Sequence, residues 1–422
     1  MRIALLSYRS KPHCGGQGVY VRHLSRELVA LGHEVEVFSG QPYPELDEGV
    51  ALTKVPSLDL YREPDPFRMV WPWQMRDWVD VQEFAIMCTA GFPEPRTFGK
   101  RVLKVLGRRA GDFDVVHDNQ VLAHGIAKIE AEVGLPVLTT LHHPITFDRR
   151  VDLAAAPLRK KLSVQRWYGF LKMQGAVVRK ARWIVLPSTS SARDAVVDFG
   201  ADAERMEVIP LGVDDCFVPP SKPRVPGRLL AMASADAPVK GIATLLEAFA
   251  KLLTERDVEL LLITKPKAGG RTEKLIDELG ISDKVTFIHG VSDEELVAIM
   301  GSAEIACVPS LYEGFSLPTA ELMACATPLV VSRAGSIPEV TGPDGECADF
   351  VEPGDVGQLA TAISALLDDP ERRARMGQAG RVRALERFSW RAVAQKTAAA
   401  YERVVADFAD EQRPKEQSYA DR

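Results

Sequence analysis

The feature that most constrains this chain is a repeated alternation. Short runs rich in Val, Ile and Leu are each followed by a stretch of helical period, the pattern of βαβ units and parallel sheets. Candidate strands in the first half are Arg2–Ser7, Glu34–Phe38, Asp114–His117, Pro136–Leu141, Trp183–Pro187 and Glu207–Pro210. A second series follows at Arg228–Ala233, Glu259–Thr264, Lys284–His289, Glu304–Val308 and Pro328–Ser332, interleaved with helices such as Ala243–Leu253. With 422 residues the chain exceeds one core, since single cores stop growing near ~250–300 residues. The fold class is therefore α/β, with two doubly wound Rossmann-like parallel-sheet domains expected.

The restart fixes the expected boundaries. Residues 1–211 form the first domain, 212–227 a linker, 228–388 the second domain, 389–410 a C-terminal helix crossing back to the first, and 411–422 a flexible tail. The linker holds Pro219, Pro220, Pro223 and Pro226, which suit neither a central strand nor a helix interior. Ligand sites in such sheets lie at the carboxyl ends of the strands, so two facing domains make a cleft.

Composition excludes some functions. A net charge of −6 offers no global attraction to nucleic acid. The six cysteines, with no C-x-x-C pair, argue against zinc ribbons and disulfide frameworks and suit a reduced cytoplasmic setting. No secretory leader and no run of ~18 apolar residues is found, so no membrane span is expected.

Two turns carry chemistry. Gly15-Gly16-Gln17-Gly18 lies between the first strand and a helix, where exposed amides stabilise an anion. The dinucleotide fingerprint fails there, because Val21 stands where a third glycine is required, and a nicotinamide enzyme is demoted. The bland alternative is a tight turn that merely needs glycine. The second turn, Pro309-Ser310-Leu311-Tyr312-Glu313-Gly314-Phe315-Ser316-Leu317-Pro318-Thr319-Ala320-Glu321, leaves one strand and enters a helix near Pro318. Gly314 is expected to let backbone approach a ligand, and Glu313 and Glu321 to address different parts of it.

This turn resembles the retaining GT-B glycosyltransferases of family 4, marked by two glutamates separated by seven residues in an E-G-F-x-L-P setting. Further resemblance runs through Asp114-Val115-Val116-His117, Ile209-Pro210-Leu211-Gly212-Val213-Asp214, Lys240-Gly241 and Gly335-Ser336-Ile337-Pro338-Glu339. It implies a GT-B fold and a hexosyl transfer from a nucleotide-diphosphate sugar, UDP favoured over GDP or ADP, to a hydroxyl acceptor on a glycan, glycolipid or small molecule. Glu313 would contact the sugar near its reacting carbon, Glu321 the ribose, and amides around Phe315, Ser316 and Leu317, with Gly15 and Gly16, the donor. Lys240 would meet the diphosphate, and His142, preferred over His143, would point at the sugar.

One departure stands out. The family's arginine before the lysine is missing from Ala233-Ser234-Ala235-Asp236-Ala237, and loss of such a charge-assisted bond is worth about 1.5–3 kcal/mol. Lys265, Lys267 or Arg271 is expected to supply part of that charge. The only D-x-D triplet, Asp112-Phe113-Asp114, leads into a strand, so no metal and no other cofactor is expected. A glycosidase, an epimerase or a weakly active sugar-binding subunit are the competing readings.

Two surface features bear on the acceptor. Phe67, Trp71, Trp73, Trp78 and Phe84 either floor a pocket or pack as core, the commoner use of aromatics. Residues 158–182 read as a basic amphipathic helix, either a solvated face or a peripheral contact with the inner face of a membrane.

Overall fold

The computed structural model describes residues 1–10, 16–62, 65–232, 236–265 and 267–413. The first half runs β1 (Arg2–Ser7), α1 (Gly16–Ala30), β2 (Glu34–Ser39), β3 (Ala51–Lys54), α2 (Trp78–Cys88), α3 (Glu94–Leu106), β4 (Val115–Asn119), α4 (Ile129–Val133), β5 (Val137–Thr140), α5 (Thr146–Ala155), α6 (Leu158–Trp167), α7 (Leu171–Val178), β6 (Trp183–Leu186), α8 (Thr189–Asp194) and β7 (Met206–Val208). The second runs β8 (Val225–Met232), α9 (Ile242–Leu252), β9 (Glu259–Ile263), α10 (Arg271–Leu279), β10 (Val285–Ile288), α11 (Asp293–Ser302), β11 (Ala303–Val308), α12 (Leu317–Ala324), β12 (Leu329–Ser332), α13 (Ile337–Thr341), β13 (Asp349–Val351), α14 (Val356–Asp368), α15 (Pro370–Arg387) and α16 (Trp390–Gln412).

Each half contributes one parallel sheet, ordered β3-β2-β1-β4-β5-β6-β7 and β10-β9-β8-β11-β12-β13. Both are doubly wound, because the order reverses beside β1 in one and beside β8 in the other. The central strands are apolar throughout, as strands covered on both faces must be: Ile3, Ala4, Leu5 and Leu6 are fully buried in β1, and Leu229 and Leu230 in β8. These reversal points aim the carboxyl ends of both sheets at one shared cleft.

Two strands were absent from the sequence reading, β3 and β13, and both are sheet edges. The residues of β3 are partly or fully exposed, so no apolar run announces it. β8 begins at Val225, three residues ahead of the expected Arg228. Pro226 is tolerated there because the β8–β11 register slips between Ala303 and Ile305, and a proline removes no ladder bond at such an irregularity.

The last helix leaves the second sheet and packs along α1 and β5. Its Tyr401 is fully buried, with the hydroxyl 2.6 Å from His117 Nδ1 on β4. At its start, Trp390 stacks on His23 of α1 at 5.1 Å and covers Gly212. The linker is held there by Asp214, whose carboxylate accepts from Arg26 Nη1 at 3.1 Å. Glu411 still accepts from Arg182 at 2.8 Å, while residues 414–422 of the expected tail lie outside the described residues.

The segment 158–182 is not one helix. It breaks into α6, a turn at Tyr168–Phe170, and α7. Leu171, Val177 and Val178 of α7 are buried in a core shared with Ile184 and Leu186, and Met173 in the neighbouring one with Val116 and Val137, so its apolar face is already occupied. Leu158 and Leu162 alone of that stripe are strongly exposed, beside Arg159, Lys160 and Lys161. No helix among the described residues is long and apolar enough to cross a membrane.

A β-carbon on Gly212 would stand 2.5 Å from Trp390 Cγ, so Gly212→Ala must displace the start of α16. The expected loss is about 1–3 kcal/mol of unfolding free energy, read by urea denaturation. An unchanged midpoint would mean that Trp390 does not anchor the crossover.

Candidate active site

The loop from β11 to α12 reaches across the cleft. Gly314 lies so close to the first half that a β-carbon there would meet the carbonyl oxygen of His142 and Cβ of His143, both at 2.9 Å. Its own carbonyl accepts from Ser188 Oγ at 2.6 Å and Ser191 Oγ at 3.1 Å. Gly314 thus brings the loop's backbone into close approach with the other domain. Tyr312 adds a second tie, donating its hydroxyl to Asp194 at 2.6 Å and stacking on Phe147 at 5.0 Å. Glu339 makes a third, accepting from the first amides of α8, Thr189 at 2.8 Å and Ser190 at 2.7 Å.

This seam brings the candidate residues together. Lys240 Nζ donates to both oxygens of Glu313, at 2.8 and 3.0 Å, and Ser310 Oγ donates to the same carboxylate at 2.7 Å. Lys240 is set by Gly241, whose left-handed backbone lies against the Pro309 carbonyl where no β-carbon fits. Beyond Glu313 the chain enters α12 through Ser316 in the left-handed region, φ 64°, an uncommon conformation for a residue with a side chain. Ser316 Oγ and Thr319 Oγ1 lie 2.7 Å apart and brace the turn. The amides of Phe315, Ser316 and Leu317 find no acceptor among the described residues. Three N–H groups are thereby left at a helix start, the arrangement that takes an anion. The Phe315 side chain points elsewhere, buried edge-on to Phe388 at 5.4 Å.

On the opposite wall, His142 follows β5. Its Nε2 lies 2.7 Å from Asn119 Oδ1, and its ring meets Tyr20 edge-on at 4.9 Å. An amide oxygen only accepts, so Nε2 carries the proton and Nδ1 holds the lone pair. Burial, reinforced by His143, lowers its pKa to about 3, and the ring is neutral at physiological pH. Asn119 was missed in the sequence because an Asn at a strand end resembles any turn residue; its Nδ2 is buried with no partner among the described residues. His143 Nε2 stands 3.5 Å from Asp148 of α5. Burial raises the Asp148 carboxyl, but His143 and Lys240 outweigh it and hold it below its ordinary value.

Glu321 lies in α12. Burial, compounded by Asp293 and Asp214, pushes its carboxyl up to about 8. Gly16 opens α1 with free space where a β-carbon would be, while Gly15 lies outside the described residues. Ala233, Ser234 and Ala235, on the stretch lacking the arginine, also lie outside them. Asp236 caps α10, accepting from the Thr272 amide at 3.1 Å. Arg271 Nη2 reaches the Ala155 carbonyl at the end of α5 at 3.4 Å, and Lys267 is exposed. Asp112 and Asp114 sit at the opposite, amino end of β4, paired with Arg109 and Arg2.

Two family models match the chain, Glycosyltransferase Family 4 over residues 14–216 and Glycosyl transferases group 1 over residues 219–383. An MMP alpha-(1->4)-mannosyltransferase of Mycolicibacterium hassiacum is 58% identical over 407 residues, covering 96% of this chain and 99% of the relative. This chain belongs to the GT-B glycosyltransferases. A D-inositol 3-phosphate glycosyltransferase of Mycolicibacterium smegmatis is 28% identical, over 96% of this glycosyltransferase and 92% of its own length. Among solved structures, sucrose-phosphate synthase from Thermosynechococcus elongatus superposes with a TM-score of 0.75 at 24% identity, covering 96% of this chain and 99% of that one. Anabaena HepE, in complex with UDP and glucose, gives 0.67 at 17%, covering 96% and 100%. These structures share the GT-B fold.

The raised Glu321 carboxyl has a sign that can be checked. A free glutamate titrates near 4.3. Stability from a carboxyl raised to about 8 is fully present below that unfolded value and is lost as pH climbs through 8. Glu321→Gln, neutral throughout, escapes the loss. Its melting temperature should match wild type near the unfolded value and exceed it above pH 8, in paired thermal melts; a wild-type advantage at high pH would contradict the assignment.

Proposed function

We propose that this glycosyltransferase moves a hexosyl group, most simply α-mannosyl, from a nucleoside-diphosphate sugar to a hydroxyl of a glycan acceptor, with retention at the anomeric carbon and without a metal. The observation that carries the reading is the Lys240–Glu313 pair at 2.8 Å on the loop that runs into the α12 turn, whose three amides find no acceptor among the described residues. The bond to be broken joins the sugar's anomeric carbon to a phosphate oxygen. Groups that read the two sides of that bond must therefore be neighbours.

In this reading the diphosphate docks on the amides of Phe315, Ser316 and Leu317 and on Lys240, which gather the charge that grows on the leaving phosphate. Glu313, relieved of part of its hold on Lys240, accepts from a sugar hydroxyl. Glu321 takes the ribose hydroxyls, and neutral His142 meets the sugar from the opposite wall. The acceptor hydroxyl attacks the face from which the phosphate leaves, and that phosphate receives its proton. Mannose and an α-(1→4) product are suggested by the name of the 58% identical relative. The base of the nucleotide is read by experiment, UDP being the choice that kinship favours.

Glu313→Ala and Lys240→Ala should each lower turnover by about 10²–10³ while melting temperature stays near wild type. Thermal shifts across UDP-, GDP- and ADP-sugars should single out one donor. Retained turnover in Glu313→Ala, or the absence of a shift with every one of the three donors, would refute the proposal. Activity should persist in EDTA, and a loss that magnesium restores would remove the metal-free step. Lys267→Ala or Arg271→Ala should weaken donor affinity if either replaces the missing arginine; an unchanged affinity in both leaves that charge to other groups.

A further inference from the structure

Of the five aromatics from Phe67 to Phe84, Phe84 packs against the satellite core of Leu58, Leu60 and Tyr61, and the other four stay outside it. Trp71, Trp73 and Trp78 are 63%, 77% and 77% exposed, and Phe67 is 58% exposed. Trp71 and Trp73 stack on each other, centroids 5.1 Å apart and planes 6° from parallel. Two indoles in that arrangement present a flat outer π face to solvent. Exposed apolar patches of this kind mark interaction sites.

The loop is built to hold them still. Pro72 separates the two tryptophans, Gln74 Oε1 accepts from the Trp71 amide at 2.9 Å, and the Gln74 amide returns to the Trp71 carbonyl at 2.9 Å. Arg76 then forks onto Asp80, at 2.9 and 3.1 Å, and Asp80 is buried and also held by Arg101. Val70, just ahead of Trp71, is sunk in a satellite core with Leu58, Leu60 and Tyr61.

Behind the platform, ring contacts run from the satellite core that holds Val70 to the carboxyl end of β1. Tyr61 meets Phe67 at 5.3 Å, Trp167 at 5.5 Å and Phe92 at 5.5 Å, and Phe92 meets Tyr8, which directly follows β1 at its carboxyl end.

We propose that Trp71 and Trp73 form an outer acceptor subsite, on which a hexose unit of an α-linked oligosaccharide stacks while the chain's end lies in the cleft; this rests on the transferase reading above. Aromatic faces attract the polarised C–H face of a pyranose, and the negative π cloud is complementary to it. Charges of both signs flank the stack in the sequence, Arg62, Asp65, Arg68 and Asp77, a mixture that suits hydroxyl groups better than an anionic lipid surface, which favours one basic sign. Rigid anchoring leaves little side-chain entropy to lose on binding.

The test compares wild type with the Trp71→Ala/Trp73→Ala double variant and with Trp73→Phe. Because these side chains are exposed, the variants should keep wild-type circular dichroism and melting temperature. Titration with a long α-(1→4)-linked mannose oligosaccharide should shift wild-type tryptophan fluorescence, and mannobiose should not. In transfer assays the double variant should raise KM for the long acceptor about tenfold, with kcat, donor-induced thermal shift and mannobiose KM unchanged, and Trp73→Phe should restore most of it. A KM change independent of acceptor length, or no fluorescence response, overturns the proposal. So does loss in the double variant of binding to anionic phosphatidylglycerol vesicles, or of a dimer seen by sedimentation, since either assigns the patch to another occupant. If the protein ignores every donor, the transferase reading falls, and the oligosaccharide titration still decides the platform by itself.

Discussion

The site rests on a contact without a side chain. Gly314 sits within ordinary packing distance of the His142 carbonyl, and its own carbonyl is shared by Ser188 and Ser191. Because the two sheets come from separate halves of the chain, nothing within either half could align Glu313 with His142. The seam does so through main-chain atoms, and Tyr312–Asp194 and the Glu339 carboxylate at the start of α8 flank it. An anion at the amino end of a helix is favoured by the helix dipole, so Glu339 lends the seam an electrostatic component as well as a geometric one.

The two walls differ electrostatically. The second domain brings a lysine and unpaired amides, whereas the first brings a neutral imidazole fixed by Asn119. In the proposed reaction Lys240 lies where phosphate charge would develop, and the His142 ring on the opposite wall offers hydrogen bonds without a charge of its own. A protonated His142 would draw the diphosphate away from Lys240. Burial prevents that at physiological pH.

Much of the fold was legible because the central strands are covered on both faces and read as unbroken apolar runs: β1 was marked over Arg2–Ser7, the very span it occupies. Of the four edge strands, β7 and β10 were marked, whereas β3, exposed along its length, and β13, only three residues long, were missed. The two glutamates and the lysine were visible only through family resemblance, since periodicity says nothing of a pair formed by residues 240 and 313. Asn119 and the Glu339 cap were illegible, as both acquire meaning only when the domains meet. The tryptophans misled in the other direction: frequency argues that aromatics pack inside, but the buried Arg76–Asp80–Arg101 network turns this loop outward.

The missing arginine shows how a local loss can be met by rearrangement. Asp236, an acid close to where the family carries a cation, is engaged with the start of α10, and α10 begins with Arg271. Arg271 in turn reaches the end of α5, the helix that carries Asp148 toward Lys240. An acid left free beside Lys240 would compete for that lysine. Held at the start of α10, Asp236 instead helps fix the helix whose first residue is Arg271.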